Sequence, residues 1–122
     1  MGKRILVIDD SETERLFISE LIKKIDDVSC SEAADFSEAK QKLSEEKYDL
    51  VFVDAYLTEG TGAELWNEVW KHDWEDKPCP CAVVMGRESD FEDGYLKENG
   101  FVNFIEKPVE FNMLKAAVSL YS

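Results

Sequence analysis

Histidine occurs once in the 122 residues and cysteine three times, so the chain is poor in the soft ligands from which a structural metal site is built. The cysteines, Cys30, Cys79 and Cys81, are odd in number and lack framework spacing, which favours small buried or free thiols over disulfides. Cys79-Pro80-Cys81 has no second pair to complete a metal site. Basic residues are outnumbered 27 to 14, leaving a formal net charge of -13. A sequence-independent nucleic-acid binder needs clustered Lys and Arg to neutralise phosphates, so that class is excluded. No apolar run reaches membrane length, and no transmembrane segment is expected. Only four apolar residues separate Lys3-Arg4 from Asp9, too few for a signal-peptide core. Leu6 stands where a myristoylation signal wants Ser or Thr. A cytoplasmic location is the expectation.

What is present is an ordinary globular balance, 44% apolar and 34% charged, in a length that suits one domain, residues 1–122. Such a chain buries roughly two-thirds of its unfolded surface. Short β-rich runs alternate with longer amphipathic segments, the pattern of repeated βαβ units around a parallel sheet. The first strand is predicted at about Arg4 to Ile8. Ser11 then starts a helix with Glu14 at capping-box spacing and an apolar stripe of Leu16, Phe17, Leu21, Ile22 and Ile25. A weak edge strand follows at about Val28 to Ser31, and a helix over Ser37 to Glu46 turns Ala39 and Leu43 inward. Leu50 to Val53 is a continuous apolar run and reads as a central strand.

Helical spacing resumes over Ala63 to Lys71, where Trp66, Trp70 and Trp74 recur every four residues; core packing explains the first two, with Trp74 partly exposed. The fourth strand is Cys81 to Met85. Its helix, Ser89 to Asn99, is weakened by Gly94 and ended by Gly100. A fifth strand over Val102 to Ile105 precedes a helix from about Glu110 that faces inward through Phe111, Leu114, Ala117 and Val118.

Three of the strands end near ionisable residues: Asp9-Asp10, Asp54, and Lys107-Pro108. In a parallel sheet the strand carboxyl ends converge on one edge, so these residues can gather there. Neighbouring strands are about 4.8 Å apart, and carboxylates that close raise one another's pKa unless a cation compensates. Mg²⁺ meets that need, because it accepts a few carboxylate oxygens and keeps other positions for water or phosphate. A free carboxylate beside a metal and a lysine is equipped to accept a phosphoryl group.

In these residues, together with Gly62 eight positions after Asp54, essentially the whole chain resembles the receiver domains of two-component response regulators. The resemblance implies a flavodoxin-like α/β fold with a doubly wound five-stranded parallel sheet of order 2-1-3-4-5 and five helices; the response-regulator example of this order is itself a standard one. It implies that Asp54 takes a phosphoryl group from the phosphohistidine of a sensor histidine kinase or phosphotransfer protein, as a phosphoacceptor in phosphorelay signalling and not as a turnover enzyme. Asp10 would ligate Mg²⁺ directly, Asp9 through water, and the backbone carbonyl of Tyr56 would complete the protein ligands beside Asp54. Lys107 would contact phosphoryl oxygens, with a cis peptide before Pro108. Output would pass to a downstream protein through the face made by the fourth helix, fifth strand and fifth helix.

The departures from the family are specific. Receivers carry Thr or Ser at the end of the fourth strand, where this chain has Met85, or Gly86 if the register shifts by one; neither side chain can donate a hydrogen bond to phosphate. Ser89 is a weak substitute. Arg87 and Tyr56 stand where the family tunes phosphoryl lifetime, and Arg87 is expected to replace the lost hydroxyl by pairing with a phosphoryl oxygen, against the plain alternative of a solvated loop arginine. Phe104 keeps the ring of the family's aromatic switch without its hydroxyl. Thr58 replaces a common proline and is expected to loosen its loop. The competing expectation is a pseudo-receiver, a binding module of the same fold acting largely independently of phosphorylation. A flavodoxin-like cofactor binder is disfavoured because Asp9-Asp10 would repel an anionic phosphate.

Overall fold

The computed structural model describes residues 2–70 and 80–122, so Trp74 and Cys79 lie outside the described residues, as does the side chain of Trp70. A five-stranded sheet of order β2-β1-β3-β6-β7 is built from β1 (Lys3–Ile8), β2 (Val28–Ala33), β3 (Leu50–Asp54), β6 (Cys81–Gly86) and β7 (Asn103–Glu106). All four ladders are parallel. The order is the expected 2-1-3-4-5, renumbered because a two-residue ladder, β4 (Tyr56–Leu57) with β5 (Gly60–Thr61), interrupts the chain after β3.

The central strands are covered on both faces, so alternation gives way to a continuous apolar run. Ile5 to Ile8 and Leu50 to Val53 are fully buried. Ile5, Val7, Leu50, Phe52, Val83 and Met85 pack on the face shared with α1 (Glu12–Lys23) and α5 (Phe111–Tyr121). Leu6, Ile8, Val51, Val53 and Val84 pack on the other face with α2 (Phe36–Glu45) and α3 (Gly62–Trp70). Each such side chain contributes about 1.5–3 kcal/mol relative to exposure. Trp66 is 1% exposed and its indole N–H donates to the Gly100 carbonyl at 3.1 Å, which bears out its expected core role. The second strand is an edge strand as expected, longer by two residues.

Three helices differ from expectation. On α1 the inward residues are Ile18, Ser19 and Ile22, while Leu16 and Phe17 are 52% and 54% exposed. Of the expected stripe, Ile22 is buried and Leu21 and Ile25 pack against the core, so only its first turn, Leu16 and Phe17, is out of phase, where one residue rotates a helix by 100°. The polar Ser19 and Arg15 fit inside that face because both reach Glu32 on β2. Phe111 on α5 is likewise only partly buried, whereas Leu114, Ala117 and Val118 are inward as expected. The fourth helix is short: a 3₁₀ turn covers Glu88–Asp90, and α4 is Tyr95–Asn99 alone. Gly94 does not weaken the middle of a helix; it precedes α4 at φ +86°, a conformation that only glycine adopts without strain.

Candidate functional site

Asp9 directly follows β1 and Asp54 ends β3, on the two strands between which the sheet order reverses. Both are held by backbone as well as by sequence position. Asp9 N–H donates to Ala33 O at 3.1 Å, and Ala55 N–H to Met85 O at 2.8 Å. Lys107 follows β7, its N–H donating to Gly86 O at 2.7 Å, and the Lys107-Pro108 peptide is cis as the resemblance implied. From there its side chain reaches across β6, placing Nζ 3.2 Å from Asp54 Oδ2 and 3.8 Å from Asp9 Oδ2.

The shortest contact of that ammonium is to Glu14 Oε2, at 2.8 Å, a residue that sequence reasoning assigned only to helix capping. The capping box is half formed. Glu14 N–H donates to Ser11 Oγ at 3.3 Å, but Ser11 N–H donates to Asp9 Oδ1 at 2.9 Å, so the Glu14 carboxylate is left for Lys107. Carboxylate oxygens of Asp9, Glu14 and Asp54 lie within 4.8 Å of one another. Asp10 is not in that group. It is exposed, and its Oδ2 accepts a hydrogen bond from the Thr58 hydroxyl, which ties down the loop that Thr58 was expected to loosen.

Burial dominates the electrostatics. It pushes the Asp9 carboxyl up to about 7, with the Ser11 N–H and Lys107 opposing and the Asp54 charge adding to the rise. Asp54 is raised by the same burial, countered first by Lys107 and then by the Tyr56 N–H, which donates to Asp54 Oδ1 at 3.3 Å. Burial would lower the Lys107 ammonium, but the Glu14 hydrogen bond and the Asp54 and Asp9 charges hold it above its ordinary value.

A divalent cation fits this arrangement. Asp9 Oδ2 is buried and accepts no hydrogen bond from a described residue, the condition that a buried carboxylate oxygen tolerates when a cation faces it. The donors are all hard oxygens, which suits Mg²⁺ over softer metals. The pH dependence follows from Asp9. Between its ordinary 3.8 and about 7 the folded protein keeps a proton that the unfolded chain has lost. The metal-free fold therefore loses stability as pH rises through that window. A cation must displace the same proton, so Mg²⁺ affinity measured calorimetrically is expected to climb, by at most about tenfold per pH unit, and to level above about pH 7. A flat profile from about pH 5 to 8 contradicts this account.

At the end of β6 the register resolves the ambiguity between Met85 and Gly86. Met85 pairs with Asp54 and is fully buried on the sheet face that carries Phe52, Val7 and Ile105. Alternation puts Asp9, Asp54 and Lys107 on that same face, so Met85 stands where a hydroxyl would serve the site. Gly86 points the other way, where an added Cβ would meet Asp90 Oδ2, Ala55 Cβ and Phe91 Cζ at 2.9–3.0 Å. Ser89 is exposed on the 3₁₀ turn and joins no described hydrogen bond. Arg87 is exposed too; its N–H donates to Asp90 Oδ2 at 2.8 Å, and its guanidinium makes no ion pair among the described residues. Tyr56 is 60% exposed and donates its hydroxyl hydrogen bond to Asp90 Oδ1 at 2.8 Å. Asp90 thus links the loops after β3 and β6. The Phe91 ring lies 4.6 Å from that of Phe104, tilted 37° to it, and Phe104 is packed at the margin of the core.

Residues 5–119 match the family of the response regulator receiver domain. The chain is 30% identical over 122 residues to the chemotaxis protein CheY of Thermotoga maritima, covering 100% of this chain and 99% of that protein. It is 28% identical to the CheY of Bacillus subtilis over 98% of this chain and 97% of that one. In fold it is similar to a CheY-like receiver domain from Methylobacillus flagellatus, with TM-score 0.89, 19% identity and full coverage of both chains.

Proposed function

Because the chain belongs to the response regulator receiver family, we propose that it is a single-domain phosphorelay module that accepts a phosphoryl group on Asp54 from a sensor histidine kinase or phosphotransfer protein. The observation that carries this reading is the Lys107 ammonium 3.2 Å from a buried Asp54 carboxylate beside the orphaned Asp9 oxygen. In the step itself an Asp54 oxygen bonds phosphorus as the bond from phosphorus to the imidazole nitrogen breaks. Lys107 offsets the charge on the phosphoryl oxygens. Asp9, Asp10, Asp54 and the Tyr56 carbonyl are the proposed Mg²⁺ holders, and the ion would neutralise charge on the incoming group. Arg87, with a guanidinium that no described residue engages, is proposed to pair with a phosphoryl oxygen from the loop after β6.

Signalling is proposed to leave through α4, β7 and α5. Met113 and Leu120 on that face are 40% and 72% exposed beside Phe104, which gives a partner protein apolar surface to cover. No described helix is long and apolar enough to cross a membrane. Incubation of the protein with Mg²⁺ and a small phosphodonor, followed by intact mass measurement, tests the reading; an unmodified mass counts against it.

Burial of Met85 favours a second reading, in which phosphate is accepted but the conformational response is weak. Met85→Thr places a hydroxyl on the site face at a cost of about 2 kcal/mol for lost packing. The variant is expected to show larger amide shift changes at Phe104 and α4 on adding Mg²⁺ and beryllofluoride than the parent protein. Equal responses discard the pseudo-receiver reading.

A further inference from the structure

Glu14 is not among the residues on which the family resemblance rests. It lies in the first turn of α1, and the backbone donor it would ordinarily cap is already satisfied by Asp9. Its carboxylate instead meets Lys107 at 2.8 Å, nearer than either aspartate. The described hydrogen bond of the ammonium goes to Glu14, while Asp54 Oδ2 lies 3.2 Å away as an ion-pair partner and Asp9 Oδ2 stays 3.8 Å off. A phosphoryl group on Asp54 carries more negative charge than the carboxylate it replaces and draws the ammonium toward itself, away from its hydrogen bond with Glu14. Asp9 and Asp54 are buried at strand ends, whereas the Glu14 side chain is 50% exposed and carried on a flexible stem.

We infer that Glu14 is a positioning residue that holds Lys107 while Asp54 is unmodified and competes with the phosphoryl oxygens for it. The inference rests on phosphoryl acceptance at Asp54. Its consequence is an energetic threshold: an anion entering the site must displace Glu14 and tolerate its charge nearby, which makes uptake more dependent on a divalent cation than the aspartates alone would require.

Glu14→Gln keeps shape and removes the charge at a half-exposed position, and thermal unfolding in the absence of Mg²⁺ checks that the variant is folded. At saturating Mg²⁺ the variant is expected to bind beryllofluoride about three- to tenfold more tightly than the parent, the scale of losing one partly exposed ion pair. In the ion-free protein the Lys107 side-chain ammonium resonance is expected to shift and to exchange faster with water, a readout independent of any phosphoryl analogue. Equal or weaker beryllofluoride binding by Glu14→Gln, or an unmoved Lys107 resonance, overturns the inference while leaving Asp54 as acceptor. Failure of both proteins to bind beryllofluoride removes the acceptor reading itself, and the inference with it.

Discussion

Asp54→Asn is expected to have two effects of opposite benefit: complete loss of the phosphoryl adduct, and a metal-free protein more stable than the parent by about 1–3 kcal/mol. The first follows from chemistry, since an amide oxygen is not the nucleophile that a carboxylate is. The second follows from the surroundings. Asp54 is 7% exposed and Asp9 is fully buried, and burial raises the pKa of both, so above about pH 7, where Asp9 has lost its proton, the folded state carries the cost of two desolvated charges. Lys107 offsets part of that cost but is shared with Glu14. A neutral amide of the same shape removes one charge and leaves the ammonium to Asp9 and Glu14. Urea unfolding without Mg²⁺ measures the gain, which should shrink as Mg²⁺ is added, because a ligand that favours the parent's folded state stabilises it by mass action. An Asn variant that still gains a phosphoryl group removes Asp54 from its assigned role. One that is less stable than the parent without Mg²⁺ refutes the claim that the site is strained by its own charge.

How far the site could be read beforehand depended on whether each residue's position is set by the backbone or by its side chain. Asp9, Asp54 and Lys107 were legible because they adjoin strand ends, and a parallel sheet brings strand ends together whatever the side chains do. Glu14 was not, because its contact with Lys107 spans 93 residues and depends on Asp9 taking the Ser11 N–H first. Thr58 with Asp10 and Tyr56 with Asp90 are of the same kind, joining loops 48 and 34 residues apart. Only the first turn of the α1 stripe was illegible, since Leu16 and Phe17 are apolar yet exposed while the buried Ser19 is polar. Composition favours the first pair for the core; the contacts of Arg15 and Ser19 with Glu32 decide otherwise. At α4 the sequence shows a glycine inside a helical pattern, and only the backbone reveals that the helix starts after it.

Gly62→Ala is expected to cost about 3–5 kcal/mol, more than a helix-favouring substitution at the start of α3 would suggest. The reason is the return of the chain through the β4 and β5 ladder, which brings Gly62 against the strand that it left. Gly62 N–H donates to Ala55 O at 2.9 Å. A Cβ at 62 would collide with the Asp54 carbonyl oxygen, and would lie 2.8 Å from Val53 Cγ1 and 3.1 Å from the Asp54 carbonyl carbon. Two of those three atoms are backbone, so no rotamer change relieves the overlap, and either α3 or the end of β3 has to move. Movement of β3 displaces Asp54 relative to Lys107 and Asp9, so the folded fraction of the variant should also bind Mg²⁺ more weakly. Gly2→Ala is the control: its added Cβ would find nothing nearer than 3.4 Å, and a change within about 0.5 kcal/mol is expected. Thermal unfolding of the two variants, with Mg²⁺ titration of the folded protein, separates the terms. A Gly62→Ala protein as stable as Gly2→Ala would mean that the loop after Asp54 yields freely, and that the glycine eight residues on does not fix the position of the phosphoacceptor.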